Sequence, residues 1–326
     1  MKAIRVHEFG GPEKMIYENA PDPKPGPGEV LLRVRAAGVN PLDVAVRSGK
    51  HPASAMVKFP YIPGVEAAGE VEAVGEGVAH LRPGDTVLGR TAGGAYCERA
   101  LMSAAEAMKK PESFSFEEAA AVPITFMTAW HALFHKAEVK PGETVLVQAG
   151  GGGVGSAAIQ LAKGRGAKVL TTVGSREKAA RAKALGADHA ILYKETPFDA
   201  EAKRLTDSKG VDVIIETVAA ENLPRDISAL AVFGRIVLIG NGTGKGPDAA
   251  FPIGPALFKD LHLLSMTLFN AAQKLPDILR GLERAFAEGK AKPQIGKAFP
   301  LQAAAAATEA LLSGRFFGKI VLSPAE

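Results

Sequence analysis

Val145-Leu146-Val147-Gln148-Ala149-Gly150-Gly151-Gly152-Gly153-Val154-Gly155 is the stretch on which the fold turns. Residues 144–148 are apolar and β-branched, as in a buried strand, and residues 154–165 carry helical spacing. Between them Gly150, Gly152 and Gly155 form a G-x-G-x-x-G pattern, weak by itself but informative where a strand ends and a helix begins. In that context Gly150 is expected to allow the tight turn, Gly152 the approach of a pyrophosphate, and Gly155 close helix–strand packing. Gly153 and Val154 open the helix, whose free N–H groups and positive dipole end favour phosphate. The competing reading is a glycine-rich turn with no ligand.

The next strand, residues 168–173, addresses which dinucleotide fits. A site selective for NAD places a carboxylate at this strand's end to hold the ribose 2′-hydroxyl. Here the chain reads Thr171-Thr172-Val173-Gly174-Ser175-Arg176-Glu177-Lys178. No acid stands at the strand end, Gly174 and Ser175 leave room, and Arg176 and Lys178 are cations close by. A 2′-phosphate needs such cations and hydroxyls, so NADPH is expected over NADH. Glu177 is placed within the helix turn, and Lys178 has the alternative of being a solvated helix residue.

From 143 to about 239 strands alternate with helices, which implies parallel strands joined by crossovers. The first third differs. Residues 29–36 alternate Val30, Leu32 and Val34 with charged neighbours, the period of a half-buried strand. The Pro/Gly-rich run at 21–28 and the turns at 75–77 and 82–85 punctuate further short strands, so a small barrel-like β domain is expected. Helices are expected at 116–121, N-capped by Ser115, and at 125–137, 275–288 and 302–312. Strand-like character returns at the end, at 319–322.

The chain has 326 residues and a single cysteine, Cys97. Its length allows two domains with sizeable cores. One cysteine excludes an intrachain disulfide and any thiolate-cage zinc site. The formal net charge is +4, with 39 basic and 35 acidic residues interspersed, far from the basic stripe of a nucleic-acid binder. No apolar run approaches a membrane span, and the amino terminus reads as a strand rather than a signal peptide. A cytoplasmic location is therefore expected.

These residues, with Gly10-Gly11-Pro12-Glu13, Gly38-Val39-Asn40-Pro41-Leu42-Asp43, Pro63-Gly64-Val65-Glu66-Ala67-Ala68-Gly69, Gly84-Asp85-Thr86-Val87 and Gly318-Lys319-Ile320-Val321, carry a nearly end-to-end resemblance. The chain resembles the medium-chain dehydrogenase/reductase superfamily, in its zinc-free, zeta-crystallin-like quinone oxidoreductase branch. The resemblance implies an α/β protein. A discontinuous GroES-like catalytic domain (1–122 and 266–326) would surround a Rossmann NADPH-binding domain (123–265) with a doubly wound parallel sheet. Zinc-dependent relatives place metal ligands where this chain has Asn40, Val65 and a position near Ile124, so no metal site is expected. Without a Lewis acid for an alkoxide, the implied acceptor is a quinone or another conjugated carbonyl.

The resemblance also suggests site roles. Asn40 would donate to the acceptor oxygen or the nicotinamide ribose, with an Asx-type turn before Pro41 as the alternative. Asp43 would support the local backbone. Thr125 and Thr128 would flank the nicotinamide, or else cap their helix. Tyr193 would lie near the 2′-phosphate or be a strand-end aromatic. Gly240 and Asn241 would approach the carboxamide, and Lys319 the cofactor. A tyrosine usual in the branch is replaced by Ala45, and His51 and Tyr61 are the candidates to compensate. His131 and His135 have zinc-like spacing but no evident third ligand, so they are read as structural, as is Cys97. Two other functions stay open: an enoyl-thioester reductase, and a non-enzymatic NADPH- or RNA-binding crystallin-like protein. A homodimer is implied, with residues 235–239 and the segment near 262–269 as candidate contacts.

Overall fold

The structure is a computed structural model that describes every residue except 93, 243–245, 247 and 325–326. The chain folds into two compact units, Met1–Ile124 with Pro293–Glu326, and Thr125–Lys292.

The first unit is built on β1 (Lys2–Arg5), β2 (Ile16–Asn19), β3 (Glu29–Val39), β4 (Glu66–Val74), β5 (Thr86–Ala92), β6 (Arg99–Ser103) and β7 (Met108–Lys109). β1 and β2 form an antiparallel pair. β3 pairs with both β4 and β6, and β5 links those two, so β3, β4, β5 and β6 close on themselves. Closure removes sheet edges. Along β3 the expected alternation holds through Val34, with Val30, Leu32 and Val34 buried and Arg33 exposed. From Ala36 onward every residue is buried, because the strand from the far end of the chain covers it.

In the second unit β8 (Thr144–Val147), β9 (Lys168–Val173), β10 (His189–Leu192), β11 (Val211–Glu216), β12 (Leu230–Leu238) and β13 (His262–Ser265) follow one another. Among the described residues they form one sheet in the order β10-β9-β8-β11-β12-β13, every neighbouring pair parallel. This is the doubly wound order, and its direction reverses between β8 and β11, where such sheets bind ligands. The helices Gly153–Gly164, Arg176–Ala184, Phe198–Arg204 and Ala219–Ala229 supply the crossovers. Leu146, Leu170, Ile214 and Ile236, one from each of four strands, are buried in one cluster with Phe198, Leu223 and Ile227.

The chain then returns to the first unit through β14 (Ile295–Pro300) and β15 (Lys319–Ser323). β15 lies antiparallel on β3, placing Ile320 opposite Val39 and Leu322 opposite Ala37.

Three expectations shift. The division falls at Lys292/Pro293 rather than at 266, because the helix Leu275–Ala287 packs in the second unit. Its Phe286 ring meets Phe126 edge-on at 5.3 Å, and Gly281 admits the Trp130 ring, which a Cβ would meet at 2.0 Å. Its Ile278 and Leu282 are fully buried, each worth about 1.5–3 kcal/mol. The helix expected at 125–137 is α-helical over Pro123–Trp130 and continues as a π-helix over His131–Lys136. Finally, β12 is flanked by β11 and β13, so residues 235–239 cannot be an edge contact; β13 is the edge strand on that side. No described helix is long and apolar enough to cross a membrane.

A buried acid pair lies beneath this sheet. Glu216 and Asp226 are fully buried, and burial with the neighbouring Asp226 raises the Glu216 pKa far above its ordinary 4.5. For a raised acid, the stability it contributes is complete below pH 4.5 and is lost as pH climbs toward the folded value. Glu216→Gln should therefore match the native melting temperature near pH 5 and exceed it by about 2–4 °C at pH 9. The same difference at both pH values would refute the assignment.

Candidate functional site

The glycine turn is built by its neighbours. The left-handed residue in it is Ala149, at φ 52°, not Gly150. Ala149 N donates to Thr172 Oγ1 at 3.0 Å, and Gly150 N to the Thr172 carbonyl at 2.9 Å. Gly150 is required for a different reason from the one expected: a Cβ there would stand 1.9 Å from Thr171 Oγ1. At Gly155 a Cβ would meet the Ala149 carbonyl oxygen at 2.3 Å, as expected for close helix packing. Gly152 is the N-cap of Gly153–Gly164, with no side chain capping the helix. Its missing Cβ would meet only the Ala149 oxygen, at 3.3 Å. Gly152 is exposed and Gly153 and Val154 are half-buried, so the uncapped first turn of the helix is accessible, an arrangement that fits a pyrophosphate.

This turn is tied into the interior. Thr172 Oγ1 donates to Gln148 Oε1 at 2.6 Å, and Gln148 Nε2 donates to Asp226 Oδ1 at 2.8 Å. The buried acids and Gln148 are members that sequence reasoning missed, since Gln148 and Asp226 are 78 residues apart in the chain.

At the carboxyl end of β9 the structure brings Gly174, Ser175 and Tyr193 together. A Cβ on Gly174 would lie 3.0 Å from the Tyr193 hydroxyl. Ser175 caps the helix Arg176–Ala184 by accepting from Lys178 N at 3.3 Å. The Arg176 side chain is well exposed and reaches Glu195 at 3.4 Å. Burial lowers the Lys178 pKa, with Glu177 opposing that shift. No carboxylate belongs to the strand end itself, so the donor set suits a 2′-phosphate. Elsewhere in this unit Thr125 and Thr128 are both buried, three residues apart on Pro123–Trp130. Gly240 and Asn241 follow β12, where Asn241 bridges to Val218.

In the first unit, Asn40 follows β3 and is the N-cap of the helix Pro41–Arg47. Its backbone N–H donates to Asp43 Oδ2 at 2.8 Å. Its side chain turns the other way. Asn40 Nδ2 donates to Glu66 Oε1 at 2.8 Å, and Lys319 Nζ donates to Asn40 Oδ1 at 2.5 Å. Lys319 Nζ also stands 2.6 Å from Glu66 Oε1, and Ile124 N donates to Glu66 Oε2 at 2.6 Å. Asn40, Glu66 and Lys319 are 3%, 0% and 5% exposed. Gly38 makes the space: a Cβ there would lie 2.2 Å from Glu66 Oε1. Glu66 is thus the hub. The clue in the sequence was a glutamate opening an apolar strand, matched by a glycine inside the neighbouring one.

Beside this hub, Tyr96 Oη donates to Asp43 Oδ2 at 2.8 Å. Burial pushes the Asp43 carboxyl up to about 6, against the Tyr96 and Asn40 hydrogen bonds. Asp43 Oδ1 and the Tyr61 hydroxyl are buried with no hydrogen-bond partner among the described residues. Burial, then the Asp43 charge, pushes Tyr61 up to about 12. Of the two residues considered in place of the Ala45 position, His51 is occupied, its Nδ1 accepting from Ala53 N. Tyr61 keeps an uncommitted hydroxyl.

The discounted signals have structural partners. His131 and His135 face each other at 3.1 Å, and His135 Nε2 lies 2.7 Å from Asp277 Oδ2. The Cys97 thiol is buried, donates to the Arg99 carbonyl at 3.0 Å, and is pushed up to about 12 by burial. Among the described residues no three His, Cys, Asp or Glu are placed to hold a metal ion.

Comparison with known proteins agrees with this geometry. The Alcohol dehydrogenase GroES-like domain profile matches residues 26–125, and the Zinc-binding dehydrogenase profile matches residues 153–284. Zinc does not fit the residues present: Val65 and Ile124 carry no ligand atom, and the Asn40 oxygen is taken by an ammonium. The quinone oxidoreductase of Rattus norvegicus is 37% identical, over 99% of this chain and 97% of that protein. The quinone oxidoreductase of Pseudomonas syringae superposes with a TM-score of 0.90 at 36% identity, covering 99% of each chain. A mycobacterial protein solved in complex with NADPH superposes at 0.91 with 33% identity, over 99% of this chain and 100% of that one. The chain belongs to the medium-chain dehydrogenase/reductase superfamily, in its quinone-oxidoreductase-like branch.

Proposed function

We infer that this protein is an NADPH-dependent reductase that passes hydride to a quinone or another conjugated carbonyl without zinc. The observation that carries the reading is the uncapped glycine turn beside a β9 end that lacks a carboxylate and offers Ser175, Arg176 and Lys178. NADPH, when bound, supplies the hydride. The chain's part is to hold and orient. Gly152, Gly153, Val154 and Gly155 would receive the pyrophosphate, and Gly174, Ser175, Arg176, Lys178 and Tyr193 the 2′-phosphate. Thr125, Thr128, Gly240 and Asn241 are proposed to face the nicotinamide. Asn40 is proposed to donate an N–H to the acceptor oxygen, where negative charge grows during reduction. A conjugated acceptor spreads that charge, so hydrogen bonds suffice where an alkoxide would call for a metal.

A homodimer is proposed through β13. It is an edge strand of the sheet, and an edge strand presents unpaired backbone groups on its outer side. Leu263 on it is 41% exposed, and Phe258, Leu257, Ile253 and Phe233, in the segments around it, are exposed as well. An apolar surface of this kind beside an open edge suits a second copy of the same strand.

Three measurements test these proposals. The protein should oxidise NADPH with a simple benzoquinone, and more slowly with a crotonyl thioester; turnover of the thioester alone would favour an enoyl reductase. NADPH should bind at least about tenfold more tightly than NADH, one charge-assisted hydrogen bond being worth about 1.5 kcal/mol or more. The double reversal Arg176→Glu with Lys178→Glu should abolish that preference, and equal affinities in the native protein would defeat the 2′-phosphate argument. Leu263→Lys should convert a dimer to monomer in sedimentation, and a native monomer would remove the edge-pairing proposal.

A further inference from the structure

The Lys319–Glu66 pair invites a functional explanation because its contribution to stability is doubtful. Burying two charges involves a desolvation penalty that their attraction barely offsets, and apolar replacements of such pairs are often as stable or more so. Yet three separate stretches of chain converge to build this one. β15 brings Lys319 to Asn40 by strand register, since Ile320 lies opposite Val39. β4 brings Glu66, and Gly38 on β3 leaves room for its carboxylate.

What the pair accomplishes follows from donor and acceptor chemistry. An ammonium can only donate and a carboxylate only accept. Lys319 Nζ at 2.5 Å must therefore face the oxygen of the Asn40 amide, and Glu66 Oε1 at 2.8 Å must face its nitrogen. The amide has one orientation, and Asp43 fixes the backbone beneath it. One N–H of Asn40 is consumed by Glu66. The second has no partner among the described residues and leaves in a direction the pair has set. Donation from Lys319 to the amide oxygen also polarises the amide and strengthens that N–H as a donor.

We propose that Lys319 is a positioning residue for the reduction: together with Glu66 it locks the Asn40 carboxamide so that its remaining N–H is aimed at the acceptor oxygen. This rests on the reductase reading above. Two of the three Lys319 N–H donors are committed to Asn40 and Glu66.

The test uses the full-length protein and NADPH with a simple benzoquinone. The variants are Lys319→Met with Glu66→Gln, Asn40→Ala, and all three changes combined. Removing both charges together avoids leaving one unpaired, so the melting temperature should stay within a few degrees of the native value. In that double variant kcat should fall about 30–100-fold, as expected for a displaced donor, with NADPH affinity unchanged within about twofold. Asn40→Ala should lose a similar amount, and the triple variant less than about threefold more, because the three residues act as one unit. If the double variant does not fold, Lys319→Arg replaces it, with a smaller fall in kcat at constant NADPH affinity. Native kcat in the double variant (or in Lys319→Arg where it stands in), additive losses, or a loss confined to NADPH affinity would overturn the proposal. A native protein that reduces no quinone or enone would overturn the reductase reading, and this proposal with it.

Discussion

A carboxylate with no exposure to solvent must have both oxygens satisfied, and Glu66 meets that demand with groups drawn from across its unit. Oε1 takes the Asn40 amide and the Lys319 ammonium; Oε2 takes the Ile124 backbone N–H. The end of β3, the start of β4, the whole of β15 and the last residue of the unit's first segment are held to a common point. Leaving the Lys319 ammonium out would strand a buried charge at a penalty of several kcal/mol. The close approach is possible only because Gly38 has no side chain. One missing Cβ and one acid therefore set the positions of elements distant in sequence.

The second unit is governed by a constraint of space rather than of charge. Its nucleotide-type turn comes as near to β9 and to the following helix as a backbone can, and Gly150 and Gly155 mark the two places where a methyl group would collide. Strain is stored at Ala149, which adopts a conformation that favours glycine. It is held there by the Thr172 hydroxyl, itself held by Gln148 and, through it, by the buried acids. The protonation state of those acids and the shape of the turn are thus physically linked.

Periodicity made much of this legible in advance. The alternation of β3, the strand–helix alternation after residue 143, the Ser115 cap and the helix over the glycine turn all follow from local chemistry, and they appear close to where the sequence places them. What local chemistry cannot carry is pairing between distant segments. The amphipathic face of the helix Leu275–Ala287 says that it packs, not against what; Trp130 and Phe126 decide that, and they place it in the second unit. β12 begins five residues before the apolar run suggests, through a register shift opposite Val211 and Val213 and a left-handed Phe233. Asn40 and Lys319 each stand in a recognisable motif, but their contact spans 279 positions of chain. Glu66, which joins them, showed only as part of a motif.

The docking of β15 has a consequence for how the molecule comes to be functional. Closing a contact between residues 40 and 319 is entropically among the most demanding events in the folding of such a chain. Until that strand inserts, the Asn40 amide has no ammonium to orient it, and the Glu66 carboxylate stays hydrated. A partly folded chain could already possess a formed parallel sheet and a nucleotide-type turn while Asn40, the proposed donor to the acceptor, remained unaligned. Cofactor affinity and turnover would then emerge at different moments of folding, and turnover, the later of the two, would report that the two ends of the chain had met.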